Sequence, residues 1–186
     1  MKAGKICCDN IFRKTSSWTG IILLIALEVF FLFAFNGLFP FSVEKINQIS
    51  GGKGIPDALF FYSFKQLSNI FHSYGVEGKE VYLKLQWVDM FYPIIYSLLL
   101  GSLLYIQLKK TKLVKLVYLP FIAAFFDYIE NILLRIDLLS YPAMNKVWVD
   151  IAAISTFLKW SFVYLSVFLI IIGLVKWIVN LSIKKT

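Results

Sequence analysis

The sequence predicts an all-α membrane protein: a bundle of four transmembrane helices with an interfacial helix between spans one and two. Three observations predict it. Hydrophobic residues make up 59% of 186 positions, with a mean hydropathy of +0.74, above the roughly 45–50% apolar content of soluble domains. The excess is gathered into four runs, each covering the roughly 20 residues that a bilayer requires. The lysines gather at the ends of those runs and in the turns between them.

The spans fall at about residues 16–39, 88–108, 114–136 and 148–179. The first is too long for the apolar core of a cleaved signal and lacks a small-residue cleavage site after it. Together they make residues 1–186 one membrane domain. Lys2, Lys5, Arg13 and Lys14 precede the first span, Lys109, Lys110, Lys112 and Lys115 fill the turn after the second, and Lys176, Lys184 and Lys185 close the fourth. The positive-inside rule then puts both termini of this integral membrane protein in the cytoplasm. Residues 40–87 lie outside. Within them, Leu59, Phe60, Phe64, Leu67 and Phe71 follow helical spacing, which predicts an interfacial helix over about 56–74. Gly75 and Gly78 should break it, and Pro93 should bend the chain as it enters span two.

The net charge of +8 belongs to those flanking lysines. No recognition helix or aromatic platform joins a basic groove, so nucleic acid is not an expected partner. Cys7 and Cys8 are adjacent and outside every span, which excludes thiol relay chemistry in the membrane. With His72 as the only histidine, no zinc site is expected, and the sequence designates no metal and no cofactor.

One stretch is out of place: "FFDYIENILLR", residues 125–135, inside span three. Asp127, Glu130, Asn131 and Leu134 follow i, i+3, i+4, i+7 and share a helix face, with Phe126, Ile129 and Leu133 expected on the lipid side. At a rise of 1.5 Å per residue, Asp127 lies about 18 Å and Glu130 about 22 Å from Lys115. Glu28, Lys159 and, at the outer rim, Asp89 reach similar depths, so every span supplies a member. Charges at this depth are costly and should pair. Glu28, Asp127 and Glu130 outnumber Lys159, so the set needs a proton, Arg135 or a bound cation to balance it. Asp127, Glu130 and Lys159 are the candidate catalytic residues for acid–base work; Glu28, Asp89, Tyr92, Tyr96 and Asn131 are the candidate ligand-binding residues. The structural alternative is that these groups only lock the helices together, with Tyr92 and Tyr96 as core and interface aromatics.

The pattern "YGVEGKEVYLKLQWVDMFYPIIY … LPFIAAFFDYIENILL … TFLKW" resembles a family of small four-span integral membrane proteins over residues 58–175. The resemblance implies that Asp89, Asp127, Glu130, Asn131 and Lys159 act as one set. No activity comes with it. The histidines of sterol-isomerase bundles and the cysteines of quinone-linked thiol oxidases are missing from this chain. The leading functional expectation is a site that binds a membrane lipid or other amphipathic molecule and performs acid–base chemistry on it. A subunit of a homo-oligomeric channel or ion-coupled carrier is the rival, and an accessory protein that stabilises a membrane partner is the third reading.

Overall fold

The computed structural model describes residues 9–183; Cys7, Cys8 and the outermost lysines lie outside that range. The described residues are helical, with no strand among them. α1 (Asp9–Thr15) is short, and α2 (Trp18–Phe33) starts where the Ser17 hydroxyl accepts from the Gly20 backbone N–H at 3.1 Å. Gly20 is required there: a Cβ would stand 2.6 Å from the carbonyl oxygens of Lys14 and Thr15. The α2 helix runs into one wide turn over Ala34–Leu38, which Gly37 ends at φ 126°. Ser42 then caps α3 (Val43–Ser50), a helix the hydropathy pattern did not predict.

The helix expected over about 56–74 begins later than the pattern suggested. Pro56–Ala58 makes one tight turn and residues 59–63 are not helical, so Phe60 is outside the helix. α4 (Phe64–Asp89) starts at Ser63 and Gln66, whose side chains each bond the other's backbone N–H. The expected break falls at Gly75 (φ 57°), whereas Gly78 is helical. α5 (Tyr92–Leu108) carries Pro93 in its first turn, where its missing N–H is harmless. A tight turn over Val114–Tyr118 leads to α6 (Leu119–Ser140), and Asn145 caps α7 (Lys146–Ile183) by accepting from the Val147 N–H at 2.9 Å.

Four stretches are long and apolar enough to cross a membrane: Trp18–Ser50, Phe64–Leu108, Val114–Ser140 and Lys146–Asn180. The most extensive packing is of α6 against α7; α5 packs on α6 and α7, α2 on α5, and α3 on α4. Lipid gives no hydrophobic drive between helices, so close approach through small residues does the work. On α5, a Cβ at Gly101 would come within 2.8 Å of the Phe121 ring and 3.1 Å of the Phe12 ring. Phe12 is accordingly buried, stacked on Tyr105 at 5.6 Å, and α1 is tied down by Ser102 donating to Thr15 and Tyr105 donating to Asp9. At the opposite end, Ile46, Leu67, Ile70, Phe71 and Tyr74 of α3 and α4 bury against Leu134, Leu138, Val149 and Ala152. The polar stripe lies between these two apolar ends. On α6 the exposed face is Ile122, Phe125, Ile132 and Leu139, while Phe126, Ile129 and Leu133 are half-buried at its edges. Phe126 is held there by its stack on Phe162.

Candidate functional site

The stripe on α6 meets Ala152, Ala153, Thr156 and Lys159 on α7. The two alanines leave room for the helices to close, and all four are buried. Lys159 Nζ stands 2.5 Å from Glu130 Oε2 and 3.4 Å from Asp127 Oδ1. It also donates to the backbone carbonyl of Asp57 at 3.3 Å, a carbonyl that accepts from Trp160 Nε1 at 3.2 Å as well. An ammonium has three protons, and these three acceptors take them. Thr156 donates to Glu130 Oε1 at 2.6 Å. Asp127 accepts from Tyr96 OH at 3.1 Å and from Asn131 Nδ2 at 3.4 Å. The catalytic candidates Asp127, Glu130 and Lys159 therefore form one ion cluster, with Asn131 and Tyr96 bonded to it.

The ligand-binding candidates divide. A cavity of about 730 Å³ opens beside the cluster and is lined by Glu28, Asp89, Tyr92, Tyr96, Asp127 and Lys159. Glu28 on α2 faces the Tyr92 hydroxyl, and Asp89 sits at the joint between α4 and α5, beside Asn131. Glu130 and Asn131 do not line the cavity; they stand behind the wall. Further along the cavity, Leu32, Leu99, Leu100, Val163 and Val167 make apolar walls. Leu32 and Val167 are also exposed on the outside of the bundle, so the cavity opens sideways between α2 and α7.

Arg135 does not reach the cluster. Its guanidinium lies 4.9 Å over the Trp87 ring and donates to the Leu83 carbonyl at 3.3 Å. His72 is exposed, with Nδ1 3.1 Å from Tyr141 OH. Among the described residues, no three His, Cys, Asp or Glu side chains are grouped to hold a metal ion.

Four members of the site escaped the sequence reading. Asp57 is buried and accepts from Tyr82 OH at 2.6 Å, and its segment roofs the cavity. Burial pushes its carboxyl above the usual carboxylate range, while the Lys159 ammonium and the Tyr82 hydroxyl pull it back. Gln86 and Trp160 also line the cavity, and Thr156 holds Glu130. No periodic pattern marks Asp57, because what Lys159 uses is its backbone carbonyl. The adjacency of Trp160 to Lys159 was the one available signal.

Comparison with protein-family models, with curated proteins and with solved structures finds no match to this chain. Its class rests on its own features: an all-helical chain with four helices long and apolar enough to cross a membrane, and charged residues buried between them.

Proposed function

We propose that the chain is an integral membrane protein that takes an amphipathic molecule, a lipid or lipid-like compound, into the cavity between α2, α5 and α7. The observation that carries this reading is the cavity itself. Its volume suits a small-molecule site, for which 300–1,000 Å³ is usual, and its walls are apolar toward the sideways opening and charged at the inner end. A lipid arriving from the bilayer would lay its chain along Leu99, Val163 and Val167 and bring its head to the carboxylates. Acid–base chemistry on that head falls to Asp127, which lines the cavity, with Tyr96 and Lys159 holding its charge. Glu130 fixes Lys159 from behind. In this reading α3 and the first part of α4 form the interfacial layer over the site, with the termini on the cytoplasmic side.

Reconstitution in phosphatidylcholine vesicles with a neutral monoalkyl glycerol probe, bearing a diazirine in its chain, tests the reading. Photolysis should label the peptides around Leu99 and Val163, and Val163→Trp, which fills the cavity, should remove that labelling. Labelling confined to exposed α2 and α7 surfaces would sink it. For the orientation, an impermeant thiol reagent applied to intact cells should leave Cys7 and Cys8 unlabelled; labelling would invert the topology.

A further inference from the structure

We propose that the head group this cavity takes is a protonated amine, so that its natural occupant is an amine-bearing amphiphile. The inference rests on the amphiphile reading above and names the chemistry at the polar end of the same site.

The hydrogen-bonding capacity of the wall is one-sided. Lys159, the one basic residue lining the cavity among the described residues, spends its ammonium on Glu130, Asp127 and the Asp57 carbonyl. The other ring donors are committed too: Trp160 to the Asp57 carbonyl, Tyr82 to the Asp57 carboxylate, Tyr96 to Asp127 and Tyr92 to Glu28. What remains without a partner is acceptor. Asp57 Oδ1, Gln86 Oε1 and Glu28 Oε1 are each buried with no hydrogen bond, and all three residues line the cavity. Asp57 is 9% exposed and Gln86 2%. The Gln86 orientation is fixed, because its Nε2 donates to the Asn131 carbonyl at 3.4 Å, leaving its oxygen as the free end.

Buried acceptors without a donor are costly. Charge leans the same way. Glu28, Asp57, Asp89 and Asp127 line the cavity against one ammonium that Glu130 also claims. A carboxylate or phosphate head would add negative charge where the Lys159 ammonium and the ring donors are already engaged. An ammonium brings donors for the open oxygens and positive charge for the carboxylates. Tyr92, Tyr96, Phe35 and Trp160 add aromatic faces around the cavity, which suit a desolvated cation.

Three photoreactive probes with one shared sixteen-carbon diazirine chain and different heads test this: a primary amine, a carboxylate and the neutral glycerol ether. They are applied to the full-length protein in phosphatidylcholine vesicles at pH 7. The amine should label the cavity peptides about tenfold more efficiently than the carboxylate, the ratio expected from one additional charge-assisted hydrogen bond, with the neutral head between them. The pair Glu28→Gln and Asp89→Asn, checked by melting for intact folding, should erase the amine's advantage. Cavity labelling by all three heads alike, or better labelling by the carboxylate, overturns the amine assignment and leaves the amphiphile reading standing. Cavity labelling by none of them overturns both. The wild-type comparison decides the matter even where the double variant fails to fold.

Discussion

The two walls of the cavity hold the same kind of group in opposite conditions. On the wall made by α6 and α7, Asp127 and Glu130 are closed around Lys159, with Thr156, Tyr96 and Asn131 completing their bonds. On the wall made by α2 and the α4–α5 joint, neither Glu28 nor Asp89 makes an ion pair: Glu28 faces the Tyr92 hydroxyl, and Asp89 faces Asn131, with the Lys159 charge acting on it only from beyond contact distance. Glu28 and Asp89 are half-buried, whereas Glu130 is fully buried. A buried charge with its partner in place belongs to the architecture, because removing one partner leaves the other stranded. A carboxylate lining a cavity, short of an ion-pair partner, is available to something that arrives.

That difference is broken most directly at Lys159. Lys159→Met strands at least two carboxylates and should cost about 3–5 kcal/mol, read as a large drop in melting temperature in detergent or as failure to accumulate in the membrane. Glu130→Gln comes next. It keeps the shape and the Thr156 bond but removes the ion at 2.5 Å from Nζ, for an expected loss of about 1–3 kcal/mol. Pairing it with Lys159→Met should cost less than the two single losses added together; strict additivity would mean that the two do not work as a pair. Glu28→Gln and Asp89→Asn, on the open wall, should move stability by no more than about 1 kcal/mol. A loss there as large as at Glu130 would erase the contrast between the walls.

The smallest expected effect is a pH slope at Asp57, which faces Lys159 of α7, Tyr82 of α4 and Asp127 of α6. Its folded carboxyl titrates above the usual range, so the folded state holds this proton more tightly than the unfolded chain does. The stability it contributes is complete below the usual carboxylate range and is lost as pH rises through the folded value. Asp57→Asn cannot ionise. Its melting temperature should match wild type near about pH 4 and gain on it toward about pH 8. A constant offset across that range would show that Asp57 does not titrate differently on folding.

The long apolar runs made the four helices long enough to cross a membrane legible, because period and length are local properties. The spacing of Asp127, Glu130 and Asn131 placed them on one face for the same reason, and Lys159 stood out as a charge deep in an apolar run. Phe12 was not legible: its burial depends on Gly101 of a distant helix leaving a slot for its ring. The register of α4 was missed because apolar residues before Ser63 continued the helical spacing, while the Ser63–Gln66 cap decided where the helix begins. Asp57 was invisible for a third reason. Its role is to hand a main-chain carbonyl to two side chains about a hundred residues away, and no side-chain alphabet records that.

The way α2 is attached has a consequence for timing. Of its sixteen residues only Leu24 and Phe31 are buried, and at its far end the chain turns at Gly37. Elements with few buried contacts open at a fraction of the global unfolding free energy. Excursions of this one strut would then widen the sideways opening between α2 and α7, so the residence time of anything in the cavity would depend on them as well as on the grip at the polar end. Stapling α2 to α5 would slow arrival and departure together and leave the equilibrium affinity nearly unchanged.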